Sequence, residues 1–260
     1  MKIRDIPPDA STLLSALPRF LPGGDIGVLL LHGFTGTPRD FAGMADYLQS
    51  VGFAVSVPRL PGHGTVGMDF LQARWRDWLR SAVDAWLDLR ARCGTVHIVG
   101  HSMGGVLAAL LASQFPVARL VLLAPAFQFT NRLLFWSPLI GLFVRRLRWE
   151  VTVQPAASDS DSTALVQEYW QWRYPRQAAS YLRIRGIAVR TLSRVMSQTL
   201  VILGMADRSV PASVMSFLSR RMASAELRLI TYDNSSHQLL TGPDARAINE
   251  DVSAWLSSVE

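Results

Sequence analysis

Residues 96–112, VHIVGHSMGGVLAALLA, join a short apolar run to a segment of small and apolar residues through a tight turn. The run Val96–Val99 is continuous and rich in β-branched residues, which is typical of a strand buried on both faces of a parallel sheet. The segment after the turn has helical spacing. A strand, a G-x-S-x-G turn at Gly100–Gly104 and a helix together predict a sharp turn that exposes a serine hydroxyl, so Ser102 is the predicted nucleophile.

Outward from this stretch, short apolar runs alternate with longer helical segments, which is the pattern of parallel strands joined by crossover helices. We therefore predict an α/β fold, in which helices flank a mostly parallel central sheet. The predicted strands are Ile26–Leu31, Phe53–Val57, Val96–Gly100, Leu120–Leu123, Leu200–Leu203 and Glu226–Thr231. The predicted helices are Pro38–Val51, Trp75–Arg92, Met103–Phe115, Pro211–Met222 and Pro243–Ser258.

Residues 125–198 break this alternation. They contain an apolar and basic segment at 133–149, LLFWSPLIGLFVRRLRW, then a polar patch at 154–164 and an aromatic and basic segment at 168–195. We predict that residues 1–124 and 199–260 form the core domain and that residues 125–198 are an inserted cap, or lid, domain.

A serine hydroxyl needs a base, and the base needs a third group that holds it in place. A turn of this kind is followed along the chain first by the acid and then by the histidine. Of the five histidines, only His237 lies well downstream of Ser102. It follows the predicted strand Glu226–Thr231, so its loop lies at the carboxyl edge of the sheet. His237 is therefore the predicted base.

Asp207 is the predicted acid, because it directly follows the apolar run LVILGMA at the carboxyl end of a predicted strand. Asp233 is too close to His237 along one loop to reach it easily. Glu226 begins a strand and so faces the opposite edge of the sheet. The two aspartates of the polar patch lie in the predicted cap. The alternative for Asp207 is a role as the cap of the helix that begins near Pro211.

Two fixed N–H donors are required for the oxyanion of a tetrahedral intermediate. One is the backbone N–H of Met103, the residue after the nucleophile. The other should come from the loop His32-Gly33-Phe34-Thr35-Gly36, in which two glycines surround Phe34. We predict the N–H of Phe34 as the second donor and a hydrogen bond within this loop for His32. The alternative is that this loop is a simple strand-to-helix turn.

The motifs as a set resemble the α/β-hydrolase superfamily and, within it, the bacterial carboxylesterase and monoacylglycerol-lipase-like branch. They are LLLHGFTGTPRDF at 29–41, PRLPGHGT at 58–65, VGHSMGG at 99–105, GMADRSVP at 204–211 and SSHQLL at 235–240. The likeness covers residues 26–124 and 199–258. It implies a carboxylic-ester hydrolase with a Ser-Asp-His triad and a cap inserted after the sixth strand. One departure is the absence of the proline that often precedes the strand carrying the acid.

We expect the cleavage of short- to medium-chain acyl esters through an acyl-enzyme. Monoacylglycerol lipase, thioesterase and acyltransferase activities with the same triad stay open, as does a non-catalytic lipid-binding protein of the same fold. No cofactor or metal is expected, because the lone Cys93 excludes a multi-cysteine zinc site and an internal disulfide. The chain shows neither a secretory signal nor a long apolar run, so we expect a cytoplasmic protein without a transmembrane helix.

The chain has 260 residues, 26 of them basic and 20 acidic, which gives a net charge of +6. A basic balance ordinarily suggests a polyanionic partner such as nucleic acid. The excess lies entirely in residues 125–198, which hold ten arginines and four acidic residues. Because these arginines alternate with large apolar side chains, we expect no nucleic-acid partner and relate the charge to substrate entry or surface docking.

The same segment holds four of the eight tryptophans. A roof with apolar side chains below and arginines outside would form an acyl pocket that excludes water. The predicted substrate-binding residues are Phe127, Phe129, Trp136 and Trp170.

Two interpretations of residues 133–149 stay open. In the first, the stretch lies in the plane of an anionic bilayer, as basic helices with Trp and Phe do. In the second, which is the more common case, it is an ordinary cap helix with solvated arginines. For the first, we expect weak, salt-sensitive binding to anionic liposomes that is lost when Arg145, Arg146 and Arg148 are replaced together.

Overall fold

A seven-stranded sheet organises the chain in the computed structural model, which describes residues 6–149, 159–224 and 226–258. The strands are β1 (Arg19–Leu21), β2 (Ile26–Leu31), β3 (Ala54–Val57), β4 (Thr95–His101), β5 (Arg119–Leu123), β6 (Leu147–Arg148), β7 (Trp172–Arg173), β8 (Gln198–Gly204) and β9 (Leu227–Tyr232). The sheet has the order β1-β3-β2-β4-β5-β8-β9, whereas β6 and β7 pair with each other. Only β1 runs antiparallel to its neighbour in the sheet, so the predicted mostly parallel α/β architecture is confirmed.

Helices cover both faces of the sheet. The α-helices of the described structure are α1 (Ala42–Ser50), α2 (Gly67–Phe70), α3 (Trp75–Arg90), α4 (Met103–Ala112), α5 (Ser137–Phe143), α6 (Ser160–Leu165), α7 (Pro175–Thr191), α8 (Val214–Ser219) and α9 (Ala245–Ser257). Buried side chains of α3, α4 and α8 form one apolar cluster against the sheet, and those of α1 and α9 form a second one on the other face.

Strand β2 shows why the predicted strands are continuous apolar runs. Its side chains alternate between the two clusters: Val28 and Leu30 pack towards α1 and α9, whereas Leu29 and Leu31 pack towards α3 and α4. All four are fully buried. Each contributes about 1.5–3 kcal/mol by leaving water, so both faces of this strand require apolar residues.

The six predicted strands all occur in the sheet, with ends within two residues of the prediction. Strand β1 was not predicted, because it is three residues long, partly exposed and at the sheet edge. The predicted helix Pro211–Met222 is shorter than expected and spans Val214–Ser219. The predicted helix from Pro38 begins as a 3-10 turn, Pro38–Phe41, before α1.

Residues 125–198 follow β5, the fifth strand in the described part of the chain. Helix α7 of this segment packs against α3 and α4 of the sheet layers. The segment also contains the short β6–β7 pair and helices α5 and α6. Residues 150–158, with Glu150 and the first half of the polar patch, lie outside the described residues. The division of the chain into a core and a cap stays a prediction.

Polar contacts of Arg39 and Ser15 hold α6 against the rest of the chain. Arg39 Nη2 lies 2.5 Å from Asp159 Oδ2, and its Nη1 donates to Ser162 Oγ at 2.9 Å. The N–H of Ser15 donates to Asp161 Oδ2 at 2.9 Å. The 125–198 segment is therefore tied to the loop that follows β2 as well as to the sheet helices. Among the described residues, none of the helices combines the length and the apolar composition that spanning a bilayer requires.

His97 is a buried titratable group within the sheet. It lies on β4, and its Nδ1 accepts a hydrogen bond from the N–H of Arg119 at 3.1 Å. Burial lowers the pKa of His97 to about 4, and the charge of Arg119 acts in the same direction. In the unfolded chain this histidine has an ordinary pKa near 6.5. Between pH 6.5 and pH 4, the unfolded chain therefore binds a proton at this residue, whereas the folded chain does not.

This difference predicts acid lability. We expect the free energy of unfolding to fall as the pH drops from 6.5 towards 4, with about 2 kcal/mol of the loss due to His97. In His97→Asn, whose amide oxygen keeps an acceptor for Arg119, that part of the loss should disappear. Denaturant unfolding of both proteins at pH 7 and at about pH 4.5 measures it. Equal pH dependence in the two proteins would contradict the assignment.

Candidate active site

Ser102 occupies the sharp turn between β4 and α4. Its backbone has φ 54° and ψ −114°, a conformation that side-chain-bearing residues rarely adopt. Two backbone hydrogen bonds hold this conformation. The N–H of Ser102 donates to the carbonyl of Leu123 (2.9 Å), and the N–H of Ala126 donates to the carbonyl of Ser102 (3.2 Å). The turn thus places the serine at the carboxyl edge of the sheet, as predicted.

Glycines make this turn sterically possible. A Cβ on Gly104 would lie 1.9 Å from the carbonyl oxygen of Leu31, and one on Gly100 would lie 2.3 Å from the carbonyl oxygen of Gly104. A Cβ on Gly33 would lie 3.2 Å from Cβ of Ser102. Strand β2, the turn and helix α4 therefore approach one another more closely than any residue with a side chain would allow.

The structure brings the three predicted polar residues together. Ser102 Oγ lies 3.0 Å from His237 Nε2, and His237 Nδ1 lies 2.7 Å from Asp207 Oδ2. The Asp207 side chain is 2% exposed and that of His237 is 22% exposed. The serine and carboxylate thus lie on opposite nitrogens of one imidazole, the arrangement in which Nδ1 carries the proton and Nε2 accepts one from the hydroxyl.

The surroundings of Asp207 favour its ionised form. Burial alone would raise the pKa of this carboxyl, but the hydrogen bond and charge of His237 and the N–H groups of Val210 and Ser209 outweigh it and hold the pKa below its usual range. Oδ1 accepts both N–H groups, at 3.0 and 2.6 Å. Each oxygen of the carboxylate therefore has its own donors, and Oδ2 is fixed towards the imidazole.

His101 is a residue of this site that the sequence reasoning missed as a contributor. Its Nε2 donates to the carbonyl of His237 at 2.9 Å, and the two rings lie 5.0 Å apart. Burial lowers the pKa of His101 to about 3, so the ring is neutral at ordinary pH. Its position directly before Ser102 in the G-x-S-x-G motif is the sequence feature that indicates a contribution, although chain order excludes it as the base.

The two predicted oxyanion donors lie on the two sides of the turn. Met103 begins α4, and Phe34 lies in the loop after β2 that Gly33 brings against Ser102. This loop is closed by a hydrogen bond from the N–H of Gly36 to the carbonyl of Gly33 at 3.1 Å. In the described part of the chain, neither the N–H of Met103 nor that of Phe34 donates to another protein group. Both remain predicted donors.

An apolar wall surrounds Phe34. Its ring contacts the rings of Phe70, Trp78 and Tyr181, with centroids 5.2, 6.0 and 6.2 Å away. Tyr181 belongs to α7, so the 125–198 segment reaches the loop beside the serine. Trp170 also reaches it, because its Nε1 donates to the carbonyl of Thr35 at 3.3 Å.

The four predicted substrate-binding residues occupy different environments. Trp170 contacts the loop beside Ser102, and the ring of Phe129 lies 5.8 Å from that of Tyr181. Phe127 is fully buried with its ring stacked on Phe217, and Trp136 is 61% exposed. Substrate contact stays a prediction for all four.

His32 behaves as predicted. Its Nδ1 donates to the carbonyl of Gly33 at 3.0 Å, and its Nε2 accepts from the N–H of Leu60 at 3.1 Å. Burial lowers its pKa to about 4. This neutral ring therefore joins the loop after β2 to the loop that follows β3. In the described ranges, no three His, Cys, Asp or Glu residues are grouped so as to hold a metal ion.

A match to the family model described as the alpha/beta hydrolase family covers residues 28–250. The chain therefore belongs to the α/β-hydrolase family.

Three similar proteins agree with this assignment. The thermostable monoacylglycerol lipase of Bacillus sp. strain H-257 is 40% identical over 104 residues, which are 40% of this chain and 42% of that protein. The carboxylesterase of Bacillus subtilis strain 168 is 21% identical over 240 residues, 92% of this chain and 95% of that one. A solved metagenome-derived lipolytic enzyme, from work on LipS and LipT, has a TM-score of 0.84 and 27% identity, with 95% of this chain and 99% of that chain covered. The resemblance stated from the motifs is confirmed.

The close approach at Gly104 gives a test of the turn. We expect Gly104→Ala to unfold or to lose several kcal/mol of stability, because its Cβ would meet the backbone of β2 rather than a movable side chain. Gly43→Ala is the matched control, because a Cβ there meets nothing within 4 Å and alanine favours the helix by about 1 kcal/mol. Thermal unfolding of both variants measures the difference. A Gly104→Ala protein as stable as the wild type would exclude the turn geometry.

Proposed function

We propose that the protein is a serine carboxylic-ester hydrolase that works through an acyl-enzyme. The observation that carries the proposal is the continuous hydrogen-bonded series from Ser102 Oγ through the imidazole of His237 to Asp207. The Nε2 atom of His237, 3.0 Å from Ser102 Oγ, is within reach of the serine proton. Membership of the α/β-hydrolase family and likeness to lipolytic enzymes support the same reaction class.

In this proposal, Ser102 Oγ attacks the ester carbonyl while His237 Nε2 takes its proton. The imidazolium so formed is stabilised by the ionised Asp207. The N–H groups of Met103 and Phe34 bind the oxyanion of the tetrahedral intermediate. The imidazolium then gives its proton to the departing alcohol, which leaves the acyl group on Ser102. Water, activated by His237, repeats the attack and releases the acid.

His101 serves as a positioning residue in this scheme. Its N–H holds the backbone of His237 rather than its ring, so it fixes the loop from which the base projects. Because burial keeps His101 neutral, it adds no charge beside the imidazolium. The acid–base work therefore belongs to His237 alone.

The proposed substrates are short- to medium-chain acyl esters. The wall formed by Phe34, Phe70, Trp78 and Tyr181 beside the serine suits an apolar acyl chain. Hydrolysis of monoacylglycerols is the second candidate, because the stretch of highest identity among the relatives named above belongs to a monoacylglycerol lipase.

The nucleophile is tested with Ser102→Ala. We expect this variant to lose at least about 10⁴-fold in kcat/KM for a p-nitrophenyl ester, because the acyl-enzyme cannot form. Asp207→Asn should lose about 10⁴-fold through the wrong orientation and tautomer of the histidine. Ser219→Ala, at an exposed position on α8, is the control that should keep full activity. Retained hydrolysis in Ser102→Ala would refute the proposal.

Covalent labelling separates an enzyme from a non-catalytic lipid-binding protein. We expect a fluorophosphonate to modify Ser102 and to leave Ser102→Ala unlabelled, because only a serine activated by a base reacts readily. Mass spectrometry of the labelled peptide identifies the site. An unlabelled wild-type protein that nevertheless binds lipid would favour the non-catalytic alternative.

Substrate preference is tested by measuring kcat/KM for simple esters, monoacylglycerols and thioesters of one acyl length. We expect oxygen esters to be preferred over thioesters. A monoacylglycerol that exceeds the matched simple ester would assign the lipase alternative, and a dominant thioester would overturn the ester assignment while keeping the role of Ser102.

A further inference from the structure

Residues 133–149 carry a large share of the apolar surface that the protein exposes. Half of the eighteen exposed large hydrophobic residues in the described structure fall within this stretch. They are Leu133, Phe135, Trp136, Leu139, Ile140, Leu142, Phe143, Leu147 and Trp149. Leu142 is 70% exposed and Phe143 is 83% exposed. We call these nine side chains the apolar surface.

Helix α5, at the centre of this stretch, turns its small residues towards the protein and its large apolar residues towards solvent, unlike an ordinary surface helix. Its buried residues are Ser137 and Gly141, which lie one turn apart on one face. Gly141 sits so close to α7 that a Cβ would lie 2.9 Å from the backbone nitrogen of Arg176. The large side chains of Leu142 and Phe143 therefore point away from the protein. A helix at a protein–water boundary normally buries its large apolar residues instead.

The residues around the apolar surface are basic and aromatic, which indicates the kind of partner that it can bind. Residues 125–149 contain four arginines and no acidic residue. Arg145, Arg146 and Arg148 are exposed and directly follow α5. The guanidinium of Arg146 lies 4.1 Å from the centre of the Trp172 ring, and that of Arg173 lies 4.7 Å from the Trp149 ring. The apolar surface is thus bordered by positive charge and by tryptophan rings.

We propose that the apolar surface docks on an anionic phospholipid bilayer. The apolar side chains would enter the boundary between headgroups and acyl chains, while the arginines contact lipid phosphates and the tryptophans lie at headgroup level. Large exposed apolar surfaces on soluble proteins usually mark binding sites. The proposal does not depend on the ester hydrolysis proposed above.

The charge distribution favours a bilayer over a second copy of the chain as the occupant. Two copies that met through this surface would bring together two sets of arginines, among them the exposed Arg146 and Arg148. An anionic membrane supplies the opposite charge over its whole area, at about 1 kcal/mol per basic residue near the surface. The sequence left open a helix that lies in a bilayer or an ordinary cap helix with solvated arginines. The outward orientation of the large apolar side chains of α5 favours the bilayer.

Flotation with vesicles tests the proposal directly. The full-length protein is mixed with vesicles of phosphatidylcholine alone or with equal parts of phosphatidylcholine and phosphatidylglycerol. We expect binding to the mixed vesicles at low salt, weaker binding at physiological salt and little binding to phosphatidylcholine. Brominated acyl chains in the same vesicles should quench the emission of the exposed Trp136 and Trp149.

Two sets of variants separate the apolar and the charged contributions. The double variant Leu142→Ser/Phe143→Ser should bind at least about 10-fold more weakly. Its control is Leu87→Ser, which replaces an exposed leucine on α3. The triple replacement of Arg145, Arg146 and Arg148 by glutamine should bind about 100-fold more weakly. Its control is the same replacement of three exposed arginines elsewhere, Arg194, Arg220 and Arg228.

Unfolding temperature and ester hydrolysis distinguish a loss of vesicle binding from a loss of fold or of activity. Because all the replaced residues are exposed, the variants should keep the unfolding temperature of the wild type and its hydrolysis of a soluble ester. Absent binding to mixed vesicles at low salt would overturn the proposal. So would control variants that lose as much binding as the test variants. A stable dimer in sedimentation equilibrium that Leu142→Ser/Phe143→Ser dissociates would assign the surface to a second copy instead.

Discussion

The backbone conformation of Ser102 is the constraint on which the candidate site depends. A positive φ at a residue with a side chain costs on the order of 1–3 kcal/mol, so the surrounding structure must hold it. That support comes from β5, through the bond to the carbonyl of Leu123, and from the contact of Gly104 with the backbone of β2. The central strands of the sheet therefore fix the position of the hydroxyl, and a helix or loop alone would not.

The same constraint links the turn to the 125–198 segment. The carbonyl of Ser102 accepts from the N–H of Ala126, and the carbonyl of Ala126 accepts from the hydroxyl of Tyr181 on α7. The guanidinium of Arg185, one turn further along α7, donates to the carbonyl of Phe127 at 2.6 Å. Helix α7 thus holds the chain that leaves the strained turn, and it also supplies the Tyr181 ring beside Phe34. One helix serves both the rigidity of the site and its apolar wall.

The sequence predicted the parts of the molecule in which local chemistry allows few residue types. The turn needs glycines at positions 100 and 104, and parallel strands buried on both faces need continuous apolar runs, so both were visible without a structure. Chain order then led to His237 and Asp207. Strand β1 was missed because three partly exposed residues at a sheet edge leave no periodic pattern. His101 was missed because its contact joins residues 136 positions apart, and spacing along the chain does not reveal such a pair.

The orientation of α5 shows a second kind of information that periodicity lacks. An apolar stretch identifies a helix with apolar side chains, but it does not say which face approaches the protein. Here backbone proximity decides it: α7 accommodates α5 only along the face of Ser137 and Gly141, and any larger residue at Gly141 would push the helices apart. In α4 all ten residues are buried, whereas α5 buries two of seven. Side-chain burial therefore holds α4 rigidly under the nucleophile, while α5 gains little from the core and leaves its apolar residues available outside it.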